Sequence, residues 1–108
     1  MQMVNVDIFR PDRLLSAGNA GELVAWTKQA LETGVDILLI DFCQVMFMDS
    51  SGLGTLVSAL KLVQKAEGRL ALCSLGGQAL MLFEMAGMEK LFETYRNLDE
   101  FESTLSGT

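Results

Sequence analysis

The residues best placed to do chemistry in this chain gather in one short run, Val45-Met46-Phe47-Met48-Asp49-Ser50-Ser51-Gly52-Leu53-Gly54, where an apolar stretch gives way to small and polar side chains. Asp49 or Ser50 can cap a helix that begins here, by accepting hydrogen bonds from first-turn N–H groups that lack helical partners. Gly52 and Gly54 leave room for another surface to come close to the backbone. A hydroxyl held at such a helix start is presented to solvent. A phosphoryl group placed on it would meet free N–H donors and the positive end of the helix dipole. Taken alone, Asp-Ser-Ser-Gly before an amphipathic helix is also an ordinary capping sequence, so its context has to decide.

Much other chemistry is closed to the chain, which contains no histidine. That removes a Ser-His-Asp triad, a Cys-His dyad, a histidine-ligated zinc and a phosphohistidine together. Cys43 and Cys73 lie far apart in apolar surroundings and are expected to be buried, reduced thiols. No catalytic residue, metal or cofactor is expected. Gly52-x-Gly54 lacks the third glycine of a dinucleotide fingerprint, and there is no Gly-Lys-Ser/Thr phosphate loop. Glu84, Glu89, Glu93, Glu100 and Glu102 read as solvated faces. Met81, Met85 and Met88, at near-helical spacing beside Phe83, read as core filling, with an adaptable docking surface as the alternative.

Charge narrows the partners. With 14 acidic against 8 basic residues and a net charge of −6, there is no surplus of positive charge to neutralise phosphates. Nucleic acid and anionic membrane surfaces are therefore not expected partners. No apolar run approaches the roughly 18 residues of a membrane span, and Met1-Gln2-Met3-Val4-Asn5 is neither basic nor signal-like. A soluble, cytoplasmic chain is expected.

The elements that must hold the Asp-Ser-Ser-Gly run follow from hydrophobic period. Val4 to Phe9 alternates apolar and polar, as a half-buried edge strand does, until Pro11 interrupts it. Leu23, Trp26, Thr27, Ala30 and Leu31 trace an amphipathic helix, with Asn19 as its N-cap and Gly34 at its end. Ile37-Leu38-Leu39-Ile40 is a short apolar run suited to a strand covered on both faces. Leu53, Leu56, Val57, Leu60 and Val63 mark a second helix that fades near Glu67-Gly68. Arg69 to Leu75 reads as a strand, Gly76-Gly77 as a turn, and Ala79, Leu82, Phe83 and Ala86 as the stripe of a third helix. A short apolar piece, Leu91-Phe92, precedes a last helix with Asn97 as N-cap, Glu100 in the reciprocal capping position, and Leu98, Phe101 and Leu105 buried. This βαβα order predicts an α/β fold, a single domain over residues 1–108 with neighbouring parallel strands.

In that context, Phe47-Met48-Asp49-Ser50-Ser51-Gly52-Leu53-Gly54 resembles the signature of the STAS domain, the sulfate transporter and anti-sigma factor antagonist family. The resemblance runs from about Phe9 to about Tyr95, residues 9–95. It includes Leu39-Ile40-Asp41 before the signature, Gly68-Arg69-Leu70 after it and Leu82-Phe83-Glu84-Met85 in the third helix. It implies a STAS-like single domain, with a mixed, mostly parallel sheet and about four helices.

For the stand-alone bacterial members, the resemblance further implies a non-enzymatic antagonist. Such a protein binds a partner that is both serine kinase and anti-sigma factor, loses affinity once phosphorylated, and is restored by a phosphatase. By motif match the acceptor is Ser50, with Ser51 a neighbouring cap residue. The partner-binding residues implied are Ser16, Asp49, Ser50, Ser51, Gly52, Leu53 and Gly54. The family's Gly-x-Leu-Asp element has its best match in Arg13-Leu14-Leu15-Ser16, where serine replaces an aspartate that lies close to the acceptor in the family. That departure keeps open an unphosphorylated STAS scaffold, or a subunit of a stable regulatory or transport complex. An enzyme or small-ligand sensor is the third reading.

Overall fold

The computed structural model describes residues 4–106. In chain order its elements are β1 (Val6–Phe9), β2 (Leu14–Leu15), α1 (Ala20–Glu32), β3 (Ile37–Asp41), β4 (Phe47–Met48), α2 (Ser50–Lys65), β5 (Arg69–Cys73), α3 (Gly77–Met85), β6 (Glu93–Tyr95) and α4 (Leu98–Ser106), with a 3-10 turn at Met88–Lys90. The main sheet has the order β1-β3-β5-β6, and β2 and β4 make a small second sheet. Every pairing among the described residues is parallel. The four helices and the mostly parallel sheet are as expected, while the mixed character expected of the sheet is not seen among the described residues.

Alternation along the two central strands builds a core on each face of the sheet. Leu38, Ile40, Leu70 and Leu72 turn to one face and pack with Leu23 and Ala30 of α1, Leu56, Ala59 and Val63 of α2, and Ala79 and Phe83 of α3. Ile37, Leu39, Ala71 and Cys73 turn to the other and pack with Phe101, Leu98 and Leu105 of α4. Hence β3 is buried at every position, as its unbroken apolar run predicts.

Helix ends follow the expected residues with local adjustments. Asn19 holds the N-cap position of α1, but its side chain turns back to the preceding loop. There it accepts from the Ser16 N–H at 3.0 Å and donates to the Leu14 carbonyl at 2.5 Å. The α4 start forms the anticipated reciprocal pair, displaced by one residue. The Glu100 N–H donates to Asn97 Oδ1, and Glu100 Oε1 accepts from the Arg96 N–H, each at 2.8 Å. The buried face of α2 is Gly52, Thr55, Leu56, Ala59 and Val63, so Leu53, Val57 and Leu60 lie at its flanks and are half-buried.

Strand β6 departs from the sequence expectation. The Arg69 guanidinium on β5 grips the Glu93 carboxylate, with Nε at 2.9 Å from Oε1, and the Tyr95 hydroxyl donates to Glu93 Oε2 at 2.6 Å. Glu93 is thus a half-buried partner rather than part of a solvated face. The Arg69 hydrogen bonds hold its carboxyl below the ordinary value, outweighing the opposite effect of burial. The thiol expectation also needs correction, because only Cys73 is buried and Cys43 is exposed. Burial pushes the Cys73 thiol up to about 11. Among the described residues, no helix is long and apolar enough to cross a membrane.

Candidate functional site

The two-stranded sheet leads directly into the start of α2. Parallel register places Leu14 beside Phe47 and Leu15 beside Met48, so Ser16 arrives next to Asp49. The Arg13 carbonyl accepts from the Met46 and Phe47 N–H groups at 2.7 and 3.1 Å, and the Leu15 carbonyl from the Asp49 N–H at 3.3 Å. The other edge of β4 is closed by a side chain. Gln78, in the first turn of α3, accepts from the Met48 N–H through Oε1 and donates to the Met48 carbonyl through Nε2, each at 2.9 Å. Sequence reasoning missed Gln78, since no local pattern marks a glutamine whose partner lies 30 positions away.

At Asp49 the backbone is extended, with φ −109° and ψ −175°, and the helix begins at the next residue. Asp49 Oδ1 accepts from the Gly52 N–H at 3.0 Å, while its carbonyl accepts from the Leu53 N–H at 3.0 Å. Of the two cap candidates, Asp49 therefore does the capping. This frees Ser50, which is exposed in the first turn and whose hydroxyl makes no hydrogen bond among the described residues. The cap also occupies one of the first-turn donors that a phosphoryl group would otherwise use. Ser51 is exposed, and its carbonyl accepts from the Thr55 hydroxyl at 2.9 Å.

The two glycines divide. A methyl group on Gly54 would meet nothing within 4 Å, and the residue is exposed, as a docking surface requires. Gly52 is buried, and an added Cβ would stand 2.3 Å from the Leu15 carbonyl oxygen. The surface that approaches Gly52 closely is therefore β2 of the same chain. Leu53 is half-buried against the core.

Several large apolar side chains are exposed in the segments that lead to this helix start and on α3. Leu14, Met46 and Phe47 are exposed, and so are Met81 and Met85 on α3. At 61% and 80% exposure, Met81 and Met85 fill no core, contrary to the sequence expectation, and only Met88 packs against it. Among the described residues no group of acidic, cysteine or histidine side chains could hold a metal ion. What the site offers is an uncovered hydroxyl at a capped helix start, beside small residues and the exposed Phe47.

A parallel sheet with helices on both faces and a capped Asp-Ser-Ser-Gly turn raised on its own small sheet is the STAS architecture. The STAS domain profile matches residues 3–101, and the chain belongs to that family. It is 37% identical over 83 residues to the anti-sigma-B factor antagonist of Listeria monocytogenes, spanning 68% of this chain and 72% of that protein. To the anti-sigma-B factor antagonist of Bacillus subtilis it is 31% identical over 98 residues, spanning 83% and 89%. The fold is that of the Bacillus anti-sigma factor antagonist SpoIIAA in its unphosphorylated form, with a TM-score of 0.79 over 100% of this chain and 94% of that one at 19% identity.

Proposed function

We propose that this chain is an anti-sigma factor antagonist switched by phosphorylation of Ser50. Unmodified, it binds a serine kinase that is also an anti-sigma factor and so releases a sigma factor in the cytoplasm. Phosphorylated, it lets go, and a phosphatase restores it. The observation that carries this reading is the exposed Ser50 hydroxyl, left free because Asp49 supplies the cap. The similar SpoIIAA has been solved in both an unphosphorylated and a phosphorylated form, which supports the same use of the fold here.

The chain itself needs no catalytic group. The kinase supplies base, magnesium and nucleotide, and the domain only presents the oxygen. A phosphate adds about −1.5 to −2 charges at pH 7. At an exposed helix start the dipole returns ~0.3–1 kcal/mol, so the fold survives modification. Under a partner, the same group would have to be desolvated next to the Asp49 carboxylate. A loss of ~3 kcal/mol in binding weakens affinity more than a hundredfold. Ser16, Asp49, Ser51, Leu53 and Gly54 form the docking rim, with Gly52 setting its shape from below.

The test is incubation of the purified chain with that kinase and magnesium ATP, followed by mass spectrometry and a binding measurement. Wild type should gain one phosphoryl group on Ser50. Ser50→Ala should gain none and stay bound, and Ser50→Asp should release. Labelling at another residue, or equal binding by the alanine and aspartate variants, refutes the switch. A second reading, a permanently unphosphorylated subunit, draws support from Ser16, which brings no carboxylate to the place beside Asp49. It predicts a stable partner complex that Ser50→Ala and Ser50→Asp leave unchanged.

A further inference from the structure

Segment 47–49 is only a few residues long, yet it sets where Ser50 stands. One edge is zipped to β2 through the Arg13 and Leu15 carbonyls. Met48 faces the other way, because alternation along a strand turns the N–H and C=O of successive residues to opposite edges. A two-residue strand with an open edge would present unpaired backbone groups, which cost free energy unless satisfied. Gln78 fills that place. Its carboxamide matches a peptide group in having one acceptor and donor hydrogens side by side, and it bonds both backbone groups of Met48. Gln78 is half-buried, and its helix is fixed by Ala79 and Phe83, each 1% exposed in the core. Side chain, strand and acceptor are thus in mechanical series: the α3 core contacts, Gln78, Met48, the Asp49 cap, Ser50.

We infer that Gln78 is a positioning residue for the acceptor. It acts as a one-residue third strand, holding the α2 start at the height and angle at which an incoming kinase finds the Ser50 hydroxyl. This rests on the proposed phosphorylation of Ser50 for its functional half, while its structural half stands on the protein alone. Two substitutions separate the chemistry from the packing. Gln78→Met keeps the length and removes both hydrogen bonds. Gln78→Glu keeps the acceptor for the Met48 N–H but sets a carboxylate oxygen against the Met48 carbonyl.

The experiment has two arms on the full chain. The first is amide hydrogen exchange followed residue by residue. In Gln78→Met the Met48 amide should exchange about tenfold faster or more, the equivalent of ~1.4 kcal/mol of lost local protection. Leu39 and Leu72, at the sheet centre, should keep wild-type rates. In Gln78→Glu the Met48 amide should remain protected. The second arm is phosphorylation by the serine kinase of the proposed function, at a temperature where all variants are fully folded. Both variants should lose about tenfold in kcat/KM, again ~1.4 kcal/mol, although folded fraction is unchanged.

Met48 exchange within twofold of wild type in Gln78→Met overturns the inference. So does faster Met48 exchange with unaltered kcat/KM, since Gln78 would then brace the strand without governing the acceptor. Wild-type protein that gains no phosphate refutes the Ser50 reading instead, and the functional half of this inference falls with it. The exchange arm still decides whether Gln78 holds the strand.

Discussion

Two glycines in one helix, two positions apart, should respond to the same substitution with opposite sign. At Gly52 a methyl would enter the space of the Leu15 carbonyl, 2.3 Å away, and backbone is not a yielding neighbour. Gly52→Ala should cost about 1–3 kcal/mol, as overpacking does, and should disturb the β2–β4 register. Gly54 meets nothing within 4 Å, so Gly54→Ala should gain ~0.5–1 kcal/mol through better helix propensity. Urea unfolding of the pair checks this, and equal effects would contradict the buried placement of Gly52. At the cap, Asp49→Ala should cost ~1 kcal/mol and Asp49→Asn much less, because asparagine keeps an oxygen for the Gly52 N–H. The cap was legible in the sequence because its bond spans only a few residues. The inward turn of Gly52 was not, since the Leu15 carbonyl meets it only after β2 and β4 have paired.

What a local pattern can encode, the sequence shows: α1, α2, α3 and α4 carry a helical repeat, and the buried strands β3 and β5 carry apolar runs long enough to read. Strands β2 and β4 have two residues each and therefore no period to read. Strand β6 carries Glu93 and Tyr95 facing Arg69, a cross-strand pairing that looks like a solvated charge until β5 lies beside it. Helix α3 shows the same limit from the other side. Its methionines share a near-helical spacing, yet Met85 is 80% exposed whereas Met88, beyond the helix end, packs on the core. Met85→Gln should therefore change stability by no more than ~0.5 kcal/mol, while Met88→Ser should cost more than ~1 kcal/mol. A thermal or urea comparison of the two variants measures this directly. Loss of the same stability in both would restore the core-filling reading for Met85.

Across the whole molecule, the absence of histidine leaves no side chain with an ordinary titration between about pH 5 and 8. Stability should accordingly be nearly flat over that range. The acid side is governed by two carboxyls tied into the fold. Burial pushes Asp41 up, but hydrogen bonds from Ser74, the Cys43 N–H and Arg10 outweigh it and hold the group below its ordinary 3.8. Glu93 is held below its ordinary 4.5, first by Arg69 and then by Tyr95. Since both bind protons more weakly in the folded chain, the unfolded chain takes up more protons as pH falls, and stability declines below about pH 4. Glu93→Gln should lower stability at pH 7 and flatten the acid limb, because the variant has no charge left to lose there. Asp41→Asn should act in the same direction through the Arg10 contact, whose Nε lies 3.0 Å from the carboxylate in a site where Asp41 is 3% exposed. Urea midpoints from pH 2.5 to 8 decide it: a sloping plateau between pH 5 and 8, or an acid limb as steep in both variants as in wild type, would mean that other groups govern the unfolding. The same flatness would suit the proposed phosphorylation of Ser50, because the added charge would alter a surface whose scaffold does not itself titrate in that range.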